Sequence, residues 1–96
     1  MDRIYEKKVY VKAFQFDGDA INFMFNGDVP SWAKEAFKVC EIKRRGNDIL
    51  YIDHREHTDF VKKGDYIIKD EFGHIFSMKK PEFEKKYTSK KEQDEY

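Results

Sequence analysis

The densest run of side chains that could do chemistry is Asp53, His54, Glu56, His57 and Asp59. Two imidazoles with carboxylates on either side offer the nitrogen and oxygen donors that zinc takes. Zinc needs three or four such ligands converging on one point. The two histidines fall in a short hairpin turn, with no Cys pair and no His-Glu-x-x-His helix, so the run reads as a solvated turn and no metal is expected. A hydrolase built on His54 or His57 is the weakest functional reading for the same reason. Cys40 is the single cysteine. It could in principle pair with a histidine as a thiolate, but its place at the start of an expected strand reads as a small buried hydrophobe. The sequence holds no nucleophile elbow, no Walker loop and no Gly-x-Gly-x-x-Gly. No catalytic residue and no cofactor is expected.

The charges exclude one class of partner. Lys plus Arg number 19 and Asp plus Glu number 19. A protein that grips long nucleic acid by its phosphates shows a basic excess, so no long nucleic acid is expected. A small anion needs only a few placed cations. Lys43, Arg44 and Arg45 gather in one polar turn, and Arg offers a planar fork for phosphate. Aromatic residues make up 17% of the chain, which argues against disorder. Most of these rings are expected in a small core, with some left for a partner or a planar ligand. A lone cysteine allows no intrachain disulfide. No apolar run reaches ~18 residues, and the N-terminus lacks a signal-peptide core. A cytoplasmic protein with no membrane partner is expected.

These residues must be positioned by short elements. Val9 to Phe16 alternates as a β-strand, with Gln15 ending an otherwise apolar row. Gln15 either hydrogen-bonds the backbone of a neighbouring loop or aims its amide at a ligand edge. Asp19 reads as the N-cap of a short helix over Ala20 to Phe25, with Ile21, Met24 and Phe25 packing inward at helical spacing. Pro30 and Ser31 open a second helix whose inward face carries Trp32, Ala36 and Phe37. Strands follow over Val39 to Lys43, Ile49 to His54, Phe60 and Val61, Asp65 to Lys69, and His74 to Lys79. Pro81 opens a last short helix with Phe83 and Tyr87 one turn apart.

The order is therefore β-α-α-β-β-β-β-β-α. It predicts an α+β fold: a small antiparallel sheet, a meander, with two or three short helices packed on it. One domain is expected over residues 1–88, and a charged flexible tail over 89–96. If the last hairpin pairs in register through Asp70–Gly73, Tyr66, Ile68, Phe76 and Met78 form one layer. Ile67, Lys69, Ile75 and Lys79 form the other. Both layers carry apolar groups, so one face needs a cover beyond the helices, and a second subunit is the simplest candidate.

The pieces KAFQFDGD, VPSWAKEAF and VKKGDYIIKDEFGHIF, followed by Lys79, Phe83, Glu84 and Tyr87, resemble a group of small phage and prophage proteins. The likeness covers roughly residues 5–88, and the GDYIIK piece is its most specific part. The chain departs from the group at Phe76-Ser77-Met78-Lys79-Lys80-Pro81, where the proline lies one place later. The group in turn looks like the phage anti-CBASS proteins, which sequester a cyclic dinucleotide immune signal such as cGAMP without cleaving it and assemble as tetramers. The resemblance implies a non-enzymatic immune-evasion protein in the infected bacterial host cytoplasm, homo-oligomeric, with a cyclic dinucleotide as ligand. On that reading Lys79, Lys69 and Arg44 contact phosphate, Trp32, Phe76 and Tyr66 stack on bases, and Gln15 reads a base edge. The alternative is a protein-interaction module that docks on a host defence or nucleic-acid enzyme and inhibits it.

Overall fold

The computed structural model describes residues 10–87. The start of the first strand at Val9 and the charged tail over 89–96 lie outside them. The described residues form six short strands: β1 (Lys12–Gln15), β2 (Lys43–Arg45), β3 (Ile49–Asp53), β4 (Thr58–Val61), β5 (Tyr66–Lys69) and β6 (Ile75–Met78). Two helices, α1 (Ser31–Lys38) and α2 (Lys80–Lys86), and one 3-10 turn (Phe23–Phe25) make up the other elements of the described residues. The fold is α+β, and the elements follow the expected order.

The expected single sheet is instead two sheets of three strands. One is the meander β2-β3-β4, and the other has the order β1-β5-β6, all pairs antiparallel. The division falls at Lys62–Gly64. Gly64 adopts φ +95°, a conformation glycine takes without a Cβ penalty. Its N–H donates to the Phe16 carbonyl, and the Phe16 N–H donates to the Asp65 carbonyl (both 2.8 Å). This turn hands β5 to β1 rather than to β4. One core joins the two sheets, with Phe16 from the end of β1, Leu50 and Ile52 from β3, Val61 from β4, Ile67 from β5 and Ile75 from β6.

The segment before α1 packs differently from expectation. Ala20 and Phe23 are buried, whereas Ile21 and Phe25 are exposed, Phe25 by 86%. The cause is the pitch. The expected α-helical period pointed Ile21, Met24 and Phe25 inward, but only Phe23–Phe25 form a turn of 3-10 pitch, so that spacing does not apply. The N-cap position falls on Asn22 rather than Asp19, and Asp19 instead accepts the Asn22 N–H (3.1 Å). α1 buries Ala33 and Ala36, with Trp32 and Phe37 packed at the margin of the core.

Cys40 also departs from expectation. α1 runs on to Lys38, and Cys40 follows it exposed, at φ +66°. The Glu41 N–H reaches back to the Ala36 carbonyl (2.8 Å), a closure that left-handed residues make at helix ends. The second strand therefore starts at Lys43 rather than Val39.

The last hairpin pairs in the expected register, Tyr66 with Met78, Ile68 with Phe76 and Lys69 with Ile75. Lys79 leaves the strand and becomes the N-cap residue of α2, with Pro81 in the first turn. The uncovered sheet face is not found at this hairpin. Ile67 and Ile68 point to opposite faces of β5, and both are 0% exposed. The exposed apolar groups lie elsewhere, chiefly at Phe25 and at Phe72 (74%) in the β5–β6 turn.

Candidate functional site

The seven residues expected to hold a ligand do not meet in one place. Gln15 donates its amide to the Gly64 carbonyl (3.0 Å), so it secures the β4–β5 turn. Lys79 pairs with the nearly buried Asp65 (2.8 Å), whose same oxygen accepts the Lys62 N–H. Tyr66 stacks on Phe83 of α2 with centroids 4.1 Å apart, and its hydroxyl donates to Glu84 (3.2 Å). Burial, and then Glu84, push the Tyr66 phenol up. Trp32 meets Phe14 edge-on at 5.6 Å against the core. Lys69 lies half-buried on β5 between Lys12 and Ile75. Phe76 opens into a cleft, and Arg44 borders a different surface.

That cleft, about 600 Å³, lies between the end of β3 and the β5–β6 turn. Glu41, Asp53 and Asp70 line it together with His54 and His74, and no lysine or arginine does. With carboxylates on its walls and no lysine or arginine to offset them, this cleft does not suit a phosphate.

The outer face of β2-β3-β4 has the opposite character. Tyr51 stands opposite Lys43 on one side and Phe60 on the other. The Tyr51 and Phe60 rings are 6.3 Å apart. Lys43 lies 5.8 Å from the Tyr51 centroid and Arg45 5.6 Å from that of Phe60. A depression of about 370 Å³ is bounded by Arg44, Arg45, Tyr51, Asp53, Thr58 and Phe60. Its one carboxylate is spoken for: Asp53 accepts from Thr58 (2.9 Å) and from Lys43 (3.1 Å). Those two hydrogen bonds hold the Asp53 carboxyl below its usual range, and Asp53 in turn raises Lys43. The cation run was visible in the sequence, but Tyr51 and Phe60 were missed as a pair. The signal was there: counting back from the His54–His57 turn sets them opposite on one face.

No family model, curated protein or solved structure matches the chain.

The β3–β4 turn brings the histidines closer than a solvated turn requires. His54 Nε2 lies 2.9 Å from one Asp59 oxygen and His57 Nε2 lies 3.2 Å from the other. The two imidazole rings stack at 4.6 Å. Asp59 also accepts the Ser77 N–H (3.1 Å), which points off the outer edge of β6. Burial pushes the Asp59 carboxyl up, but Ser77 and the two histidines outweigh it and hold it below its usual range.

Proposed function

We propose that the chain is a non-enzymatic phage immune-evasion protein that sequesters a cyclic dinucleotide on the outer face of β2-β3-β4. What supports the reading is the pairing of Tyr51 and Phe60 beside Arg44 and Arg45, with Lys43 near the Tyr51 ring. A cyclic dinucleotide presents two flat bases and two phosphates. Aromatic faces take any base by stacking, at about 1–3 kcal/mol each, and Arg offers phosphate a planar fork. Of the residues the resemblance assigned to ligand, Arg44 alone borders this surface. The site thus moves from the last hairpin to the middle sheet. A shallow face leaves half of such a ligand in water, so sequestration calls for a second copy closing over it, in keeping with the homo-oligomer that the resemblance implies.

Calorimetry against a panel of cyclic dinucleotides, cGAMP included, tests this directly. Binding should weaken about tenfold or more in Tyr51→Ala and in Phe60→Ala, given the stacking energies above. Nucleotide recovered from the complex should be intact by chromatography, and light scattering should show the oligomer. Failure of every cyclic dinucleotide to bind rules the reading out. The exposed rings of Phe25 and Phe72 favour a second reading, a module that docks on a host enzyme. In that case both surface rings, and neither Tyr51 nor Phe60, would be needed for inhibition.

A further inference from the structure

We propose that His54, His57 and Asp59 form a binding site for a single zinc-class divalent ion at the β3–β4 turn. One ligand atom from each residue falls within 4.8 Å of the others. The two imidazoles direct the same ring atom, Nε2, at different oxygens of one carboxylate, over 2.9 and 3.2 Å. A tetrahedral ion with bonds of ~2.0–2.1 Å separates its ligands by about 3.3 Å. Both imidazole–carboxylate contacts lie within a few tenths of an ångström of that separation, and any wider pair among the three ligand atoms, up to 4.8 Å, has to draw in, which the exposed His57 side chain has room to do.

The ligands are held before any ion arrives. The β3–β4 ladder pairs Asp53 with Thr58 at the mouth of the turn, and the His54 N–H donates to the His57 carbonyl (2.8 Å). These bonds fix the loop that carries both histidines. The Ser77 N–H fixes Asp59 from the other sheet. A backbone donor on a ligating carboxylate is the kind of outer support that orients metal ligands. The sequence argument against a metal was that the two histidines lie in a hairpin turn with no Cys pair and no His-Glu-x-x-His. In the folded chain, His54, His57 and Asp59 nonetheless converge.

The donor set selects the ion. Two imidazole nitrogens and one carboxylate oxygen suit zinc and its first-row neighbours, cobalt among them. Magnesium and calcium favour all-oxygen shells. Three protein ligands leave one tetrahedral position, and His57, 65% exposed along its side chain, places that position at the solvent boundary. The three ligands do not line the nucleotide depression, though Asp53 and Thr58, which hold the turn, border it.

The full chain, freed of metal with chelator, is titrated with Zn²⁺ by calorimetry and with Co²⁺ by visible absorption. One ion per chain is expected, with a cobalt d–d band of low-coordinate intensity and no heat from Mg²⁺. His57→Ala changes an exposed side chain and keeps the fold, which circular dichroism checks. It should weaken Zn²⁺ binding at least tenfold, as should His54→Ala, while His74→Ala, in the neighbouring turn, should leave it unchanged. Absence of a stoichiometric ion in the unaltered protein overturns the proposal. So does wild-type affinity in both His54→Ala and His57→Ala. Should His54→Ala unfold, imidazole NMR shifts of His54 and His57 on adding Zn²⁺ to the unaltered protein decide the same question.

Discussion

Cys40 holds a backbone conformation that its own chemistry does not favour. A φ of +66° sets the Cβ of an L-residue against the following carbonyl, at a cost of about 1–2 kcal/mol. Glycine avoids that cost and is the usual residue past a helix end. Since Cys40 is exposed, little packing is lost with its side chain. Cys40→Gly should therefore stabilise the fold by about 1 kcal/mol, read as a higher denaturant midpoint with an unchanged slope. The same residue shows why the helix end was hidden. Lys38-Val39-Cys40-Glu41 contains no Gly, Asn or Pro to announce a stop, so Val39 looked like the first residue of a strand. Gln15 was readable only as a pair of alternatives, a backbone partner or a ligand edge, and the resemblance assigned it to the second, whereas its amide donates to the Gly64 carbonyl.

Among the elements, the β5–β6 hairpin was the most readable. Period two and a turn at Asp70–Gly73 fix its register, and the pairing follows. The 3-10 turn at Phe23 was the least readable, because a few residues cannot separate a period of 3.0 from 3.6. Asp70 organises the hairpin turn. One of its oxygens accepts the N–H groups of Phe72 and His74 (both 2.9 Å), and the other lies 3.3 Å from the His74 ring. Partial desolvation pushes the Asp70 carboxyl up, but those N–H groups and the His74 charge hold it below its ordinary 3.8. A depressed folded value means that the carboxylate stabilises the fold above the ordinary range. That contribution is lost as pH falls through the folded value. NMR titration should place Asp70 below 3.8, and Asp70→Asn should flatten the acid limb of stability against pH.

For the whole molecule, the test of the core is the contrast between two phenylalanines two residues apart. Phe23 meets three rings, two from β1 and its end and one from α1, lying 6.0 Å from Phe14, 6.3 Å from Phe16 and 5.3 Å from Phe37. Phe23→Ala should cost about 3–5 kcal/mol, a large share of the ~5–15 kcal/mol that holds a domain of this size. Phe25→Ala should change stability by no more than about 0.5 kcal/mol. Equilibrium denaturation of the two variants checks both. At this scale the class and element order followed from local patterns. The partition into two sheets did not, because it depends on β1 finding β5 across more than fifty residues of chain, and that pairing decides where every candidate site lies. It also leaves β2 on the rim of its sheet, a strand in which every residue is a cation: Lys43, Arg44 and Arg45. An open rim ordinarily invites another strand to join, and stacking of that sort is how soluble proteins grow into fibres. Two copies meeting rim to rim here would lay like charges side by side, so the strand is protected against its own twin.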